Sequence, residues 1–435
     1  MKHLLLISYP FPPNASAGAV RSERFARYLS ADGWQVNVVT IKPRSDNYTD
    51  DDRFDDLKKK FDIHQTETFD PWVKLRGWNP HSFFMKKLRS LLMYMSSFPD
   101  HMFFWIPFVV REGLRINKKN TIDVIYTTSP PHSSHLAGLI LSKIIKKKWV
   151  ADFRDPWTLN ADRQNKSGLE LFFLKIEIYL ERKVLKNASL IISNTKSNMV
   201  NLQNAYPSTT KGKTVLLTNG WEKFPENDIA GKSGSAFRIV HAGTFYPRFK
   251  PYALLNAISE WLRMNKSDGS GKSENLKIVL LGANDPDTSS KIDELGLQEV
   301  VELLPWTSQD EARKVMQNAD LLWATLGTGK EASTFIPSKI FEYIAAEKPI
   351  IGFFPEGEAC SLIRETGTGI VFTNDETRPV IEFITQMKSA EEDCVREKLL
   401  PVRNAKKIDE YQIKNIAGKF SVFLRELVEN THTST

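Results

Sequence analysis

Short, nearly continuous apolar runs, each followed by a segment of helical periodicity, constrain this chain more than any other feature. In the first half they read HLLLIS (3–8), WQVNVVTI (34–41), DVIYTTS (123–129), WVADF (149–153), SLIISN (189–194) and TVLLTN (214–219). The second half repeats the pattern with FRIVHAG (237–243), LKIVLLG (276–282), VVELLP (300–305), DLLWATL (320–326), KPIIGFF (348–354) and TGIVF (368–372). Strands that are apolar throughout must be covered on both faces, which alternating helices do in parallel sheets. The intervening stretches fit: AVRSERFARYLSADG has helical spacing and closes on Gly33, where a C-cap glycine belongs. A chain of 435 residues exceeds what one hydrophobic core serves. The expectation is therefore α/β, with two doubly wound Rossmann-like domains facing across a cleft.

The boundary is expected in ENDIAGKSGSA (226–236), a polar, glycine- and serine-rich hinge. This gives domains at 1–230 and 231–405, then a C-terminal helix in 406–435 that packs back toward the first domain and ends in a disordered tail. Residues 44–60, containing DDDRFDDLKKK, read as a solvated loop. Cys360 and Cys394 are too few and too isolated for a disulfide framework or a zinc site, which points to a reducing compartment. The apolar part of MKHLLLISYPF is short for a secretory signal. FFWIPFVV (103–110) falls well below the roughly 18 residues a spanning helix needs. A cytoplasmic location follows as an expectation. The net charge of +7 suits an anionic partner, either a phosphorylated small molecule or an anionic membrane surface. Nucleic acid is not expected, because no basic stripe is interleaved with aromatics.

Sheets of this kind bind ligands beyond the carboxyl ends of their strands. Four loops there carry chemistry. In YPFPPNASAG (9–18), Ala17 and Gly18 let a phosphate or sugar approach backbone N–H groups at a helix start, or else form a plain turn. In HAGTFYPRFK (241–250), Gly243 ends a strand and Arg248 and Lys250 follow, a cationic loop suited to a diphosphate unless these are ordinary surface cations. In TFIPSKIFEYIAAEKPI (334–350), Ser338 and Lys339 open an amphipathic helix with Glu342 one turn in. Lys339 and the first-turn N–H groups can hold phosphate oxygens, while Glu342 can accept from two ribose hydroxyls. VADFRDPW (150–157) sets Arg154, Asp155 and Trp157 past a strand end, as site groups or with Arg154 and Asp155 as a structural ion pair. His132 and His135 in TSPPHSSH (128–135) lack a third partner, so no metal is expected. DPD (285–287) reads as a strand-end turn.

Taken in order, PFPPNASAGAVRSERFARYLSADGWQVNVVT, TTSPPHSSHLAG, VADFRDPW, ERKVLKNASLIISNT, TNGW, HAGTFYPRFKP and IPSKIFEYIAAEKPI resemble the family 4 glycosyltransferases of the GT-B fold, bacterial surface-polysaccharide type. The resemblance covers nearly the whole chain. It implies an enzyme that moves a sugar from a nucleotide-sugar donor to an acceptor hydroxyl, usually with retention and without a metal or other cofactor. It puts Gly18 near the donor diphosphate, Lys250 at the phosphate-binding lysine, and Glu342 at the second acid of the E-x7-E motif. Thr334 stands where the first glutamate of that motif would be, and Thr244 replaces the usual phosphate-binding arginine, with Arg248 as a substitute. Gly243, Trp306 and Ser338 complete the expected donor-binding set; the expected catalytic set is His132, Arg154 and Asp155. The implied acceptor is a glycan or a lipid-linked molecule. Residues 82–112, rich in Phe, Met and Leu among cations, and KIIKKKW (143–149) suit the inner face of an anionic membrane. A nucleotide-sugar epimerase of the same fold is the alternative, as is a non-catalytic scaffold motivated by Thr334 and Thr244.

Overall fold

Each of the apolar runs forms a parallel strand in the computed structural model. The structure describes all residues except 15, 44–50, 70, 72–77, 79–81, 97, 161–166, 226–235, 246–251, 268–274, 284, 375–376, 391–395, 397 and 430–435. Two units result, one made of Met1–Thr218 with Ile413–Thr435, the other of Asn219–Gln412.

The first unit holds a sheet in the order β3-β2-β1-β4-β5-β6-β7. Its strands are β1 (Lys2–Ile7), β2 (Trp34–Ile41), β3 (Asp62–Thr66), β4 (Val124–Ser129), β5 (Lys148–Phe153), β6 (Leu190–Ser193) and β7 (Thr214–Leu216). Around them lie α1 (Ala17–Ala31), α2 (Asp51–Lys58), α3 (Phe83–Ser96), α4 (Ile106–Lys119), α5 (Ser133–Ile145), α6 (Gly168–Asn187), α7 (Lys196–Ala205) and α8 (Pro207–Thr210). Side-chain alternation on β1 splits the core in two. Leu4 and Leu6 join Phe25 and Leu29 of α1, whereas Leu5 and Ile7 join Val109 of α4 and Leu141 of α5.

The second unit has the order β10-β9-β8-β11-β12-β13, all parallel. Its strands are β8 (Phe237–Ala242), β9 (Leu276–Leu281), β10 (Val301–Leu304), β11 (Leu321–Thr325), β12 (Ile350–Phe353) and β13 (Gly369–Phe372). Its helices are α9 (Tyr252–Ser267), α10 (Pro286–Leu295), α11 (Gln309–Gln317), α12 (Lys339–Ala345), α13 (Glu358–Thr366), α14 (Thr377–Ser389) and α15 (Ala405–Glu410). In both sheets the strand order reverses beside the first strand, the position where doubly wound sheets open a crevice at their carboxyl edge. The fold is GT-B.

The last helix, α16 (Ile413–Glu429), returns to the first unit. Its Phe420, Leu424 and Val428 enter the core of α1, with Phe420 edge-on to Phe25 at 5.3 Å. Each such buried side chain stabilises by about 1.5–3 kcal/mol. Ser421 accepts from the Trp34 indole at 2.9 Å. The chain leaves the first unit earlier than the expected 230, because Trp221 is already tied to the second: its N–H donates to Tyr411 O at 2.9 Å and its indole to Ile408 O at 2.7 Å. The return falls at 412/413 instead of 405/406 for the same reason.

Two further expectations need correction. Within 44–60, residues 51–58 form helix α2 and not a loop, since Phe54 and Leu57, three apart, bury one face despite the surrounding charge. Strand β3, DIHQT, went unread because it is an edge strand with few apolar residues. Of the hinge expected at 226–236, residues 226–235 lie outside the described residues, as does the tail.

Candidate active site

The carboxyl edge of the second sheet is built around two glycines. Gly243 follows β8 at φ +108° and Gly282 follows β9 at φ +77°, both in the region that favours glycine. Their N–H groups continue the ladder, donating to Leu281 O at 2.8 Å and Leu304 O at 2.9 Å. A side chain on Gly282 would stand 3.9 Å from Gly243 Cα and 4.0 Å from Trp306, which is 40% exposed just after β10. One on Gly243 would stand 3.5 Å from the Lys339 ammonium. Gly243, Gly282 and Trp306 thus form an open shelf with Lys339 at its edge.

Lys339 opens α12, after a turn in which Ile340 and Phe341 N–H donate to Pro337 O and Ser338 O at 3.1 Å. Those two N–H groups, expected to face phosphate, are spent on the turn itself. Lys339 Nζ instead reaches back to His241 of β8, 2.9 Å from Nε2. The opposite nitrogen, Nδ1, lies 2.9 Å from Trp323 O, a carbonyl that only accepts, so Nδ1 carries the proton. Tyr343, one turn along α12 from Lys339, donates its hydroxyl to the same carbonyl at 3.0 Å and accepts from Ala242 N–H at 2.9 Å. Phe245 stacks on the imidazole at 4.0 Å. Burial brings the Lys339 ammonium down to about 7 from the ordinary lysine value. Burial, then the adjacent Lys339 charge, holds His241 well below the usual imidazole range. Among the described residues no carboxylate forms an ion pair with Lys339. Glu342 stands one turn after Lys339 on the same helix and is half-buried.

The equivalent edge of the first sheet is closed on itself. Asp152, next to last in β5 and fully buried, takes both oxygens of its carboxylate to Arg21 of α1, at 3.1 Å each. Tyr126 and Thr128 hydroxyls donate to the same carboxylate at 2.7 and 3.1 Å. Arg21 also donates to Thr218 O at 2.7 Å and Leu217 O at 2.8 Å. Arg154 donates to Ser129 O at 2.8 Å, Gly18 O at 3.0 Å and Pro130 O at 2.9 Å, bracing three backbone carbonyls. A side chain on Gly18 would meet Arg154 Nη1 at 2.7 Å, which is a packing reason for glycine there. Asp155 is half-buried, and burial raises its carboxyl. His132, just before α5, lies flat on the Trp157 indole at 4.7 Å, and Trp157 donates to Glu177 Oε2 at 2.9 Å. His135 is fully buried with Nδ1 2.8 Å from Thr127 Oγ1, and burial takes it down to about 3, a core histidine. The amino end of α5 is capped from outside: Ser133 N–H and Oγ–H donate to Asp100 at 2.8 and 2.7 Å.

Residues 232–398 match the family model described as glycosyl transferases group 1. The enzyme is a glycosyltransferase. Among solved structures the transferase superposes on sucrose-phosphate synthase from Thermosynechococcus elongatus with a TM-score of 0.67, at 14% identity over 99% of this chain and 100% of that one. It superposes on Anabaena HepE in complex with UDP and glucose with a TM-score of 0.60, at 14% identity over 100% of both chains. A UDP-GlcNAc 2-epimerase from Methanocaldococcus jannaschii gives 0.55 at 13% identity, over 98% of this chain and 100% of that one. No curated protein sequence matches the chain.

The structure therefore gathers some of the expected residues of the transferase and separates others. Gly243, Trp306 and Lys339 line one shelf; Thr244, exposed, follows Gly243, and Ser338 precedes the helix that carries Lys339 and Glu342. Thr334 ends a short 3-10 turn at Lys330–Thr334. Arg248 and Lys250 lie outside the described residues. Of the expected catalytic trio, Arg154 donates to three backbone carbonyls while its charge stays coupled to that of Asp155, and the buried ion pair of this edge is Arg21 with Asp152. His241, Tyr343 and Arg21 went unread. The one available signal was a histidine inside the apolar run FRIVHAG, two residues before a strand-end glycine. Among the described residues no three His, Cys, Asp or Glu side chains converge as a metal site, and no helix is long and apolar enough to cross a membrane.

Proposed function

We propose that the transferase takes its sugar from a nucleoside-diphosphate donor held by the second unit and passes it to an acceptor hydroxyl, with retention and without a metal, in the synthesis of a surface polysaccharide or glycan. The observation that carries this reading is the Lys339 ammonium at the rim of the Gly243–Gly282 shelf, with no carboxylate paired to it among the described residues. As the sugar C1–O bond breaks, its electron pair goes to the departing diphosphate, an acceptor oxygen bonds C1, and the acceptor proton passes to an oxygen of that diphosphate. Lys339 stabilises the negative charge that gathers there, Lys250 and Arg248 are proposed as further phosphate ligands, and such electrostatic stabilisation is commonly a dominant share of catalysis. Glu342 holds the ribose hydroxyls, Trp306 flanks the nucleotide, and Gly243 with Thr244 and Ser338 line the phosphates. The structures of HepE with UDP and with UDP-glucose support a nucleotide-sugar donor of this class. Incubation with UDP-, GDP-, dTDP- and CMP-sugars, followed by product analysis, tests the reading. Free or transferred sugar with release of nucleoside diphosphate is expected. Epimerised nucleotide sugar would establish the alternative reading, which the likeness to the 2-epimerase motivates, and no turnover of any donor would favour a scaffold.

The acceptor is assigned to the first unit and to an anionic membrane face. On α3, Phe84 is 74% exposed beside Lys86 and Lys87, and on α6 Phe172 is 58% exposed. Phe98 and Phe173 pack at 5.0 Å, joining the chain after α3 to α6. Apolar side chains among lysines suit a lipid headgroup boundary. Because α16 completes the core of the first unit, the full chain is the proper test object. It should sediment with anionic vesicles at low salt, and Phe84→Asp with Phe172→Asp should abolish this. A full chain that stays in the supernatant would make the acceptor a soluble one.

A further inference from the structure

We infer that His241 is a positioning residue for donor binding: its neutral imidazole aims the Lys339 ammonium at the shelf by hydrogen bonding while leaving its positive charge unneutralised. This rests on the reading of Lys339 as the ligand of the donor diphosphate.

The geometry leaves the ring little freedom. His241 is fully buried, Phe245 stacks on one face at 4.0 Å, and the Trp323 ring meets it edge-on at 5.5 Å. The Trp323 carbonyl takes the Nδ1 proton, and that carbonyl is itself fixed by the Tyr343 hydroxyl. Nε2 is therefore a lone pair pointing at Lys339 Nζ, 2.9 Å away. A long, flexible side chain is held by this contact, with no counter-ion among the described residues. The choice of acceptor matters physically. A carboxylate in that place would make a stronger hydrogen bond, but it would cancel the field an incoming diphosphate meets. A histidine protonated on both nitrogens would offer no acceptor and would repel the ammonium. Only the neutral Nδ1–H form both holds Lys339 and leaves its positive charge for the ligand to compensate, so the carbonyl that fixes the tautomer belongs to the device.

The test compares a nucleoside diphosphate with its nucleoside, because their affinity ratio isolates the phosphate contacts from the base and ribose. Calorimetry with UDP, GDP, dTDP and ADP selects the tightest, and the same nucleoside without phosphate is the reference. Lys339→Ala should reduce the ratio by about 10- to 150-fold. His241→Phe keeps ring volume and removes the acceptor; it should reduce the ratio by about tenfold, with nucleoside affinity unchanged. His241→Gln, with a neutral acceptor and an amide donor, should restore most of it. His241→Glu should leave the ratio low although it restores an acceptor, a result that a merely structural role would not produce. A parent-like ratio in His241→Phe, with the ratio lost in Lys339→Ala, overturns the inference and spares the diphosphate reading. A parent-like ratio in Lys339→Ala, or no binding of any diphosphate, overturns both. Where a variant fails to fold, nitrogen-15 histidine spectra of the parent decide: unprotonated Nε2 on His241 supports the inference, and an Nε2–H signal sinks it.

Discussion

The two sheets share a strand order up to the sixth strand yet treat charge at their carboxyl edges in opposite ways. In the first unit, Asp152 and Arg21 meet both oxygens to two nitrogens, with Tyr126, Thr128 and two backbone carbonyls completing the shell. That polar network is satisfied internally and presents no charge that a ligand could claim. In the second, Lys339 is held by one neutral nitrogen beside two glycines. A buried charge costs desolvation free energy wherever it sits. The first edge recovers that cost inside the protein, and the second leaves part of it to be recovered from a ligand. Counter-ions, more than topology, separate a structural edge from a binding edge.

The comparison breaks most decisively at Asp152. Asp152→Ala would leave Arg21 buried without its partner and should destabilise the first unit by about 3–5 kcal/mol. Denaturant unfolding of the full chain reads this. A loss below about 1 kcal/mol would mean that the pair is not the internal compensation described above.

Lys339→Ala should do the reverse, sparing the fold and weakening the donor diphosphate by about 1.5–3 kcal/mol. Calorimetry and a melting curve on the same sample check both halves. The pH dependence sharpens the point. Burial brings the free Lys339 ammonium down to about 7, and an anionic diphosphate needs the protonated form. Diphosphate affinity should therefore decline as pH rises above about 7, by up to about tenfold per unit, and Lys339→Ala should lose this slope. For folding the sign is opposite. The unfolded lysine stays protonated up to its ordinary value of 10.5, so between about 7 and 10.5 the unfolded chain binds more protons and this group's contribution to stability rises with pH. An affinity that is flat across pH 7–9 in the parent would remove Lys339 from the phosphate.

Glu342→Gln is the mildest probe. It keeps the shape and one acceptor, so donor affinity should fall by about 0.5–1.5 kcal/mol with the melting temperature unchanged. If the donor KM is unaltered across UDP-, GDP- and dTDP-sugars, Glu342 is a surface acid and the nucleotide lies elsewhere on the shelf.

Fold and site were legible to different depths. The apolar runs located the strands from β1 through β13, apart from β3, because a strand buried on both faces must write its burial into consecutive residues. The edge strand Asp62–Thr66 has no such obligation, and helix α2 hides two buried residues among charges. In the site, Gly243, Lys339 and Glu342 announced themselves by their place at strand ends and a helix opening. Their meaning did not. That Arg154 braces three carbonyls, that Asp152 pairs with Arg21 across 131 positions, and that His241 meets Lys339 across 98 depend on which loops the sheets bring together.

The sequence alone determined the two wound sheets, their helical cover and the strand-end positions open to a ligand, because periodicity and burial are properties of neighbouring residues. Which charges are free was decided only in three dimensions. A side chain's availability depends on the partner that reaches it, and in this protein those partners, Asp152 for Arg21 and His241 for Lys339, come from distant strands.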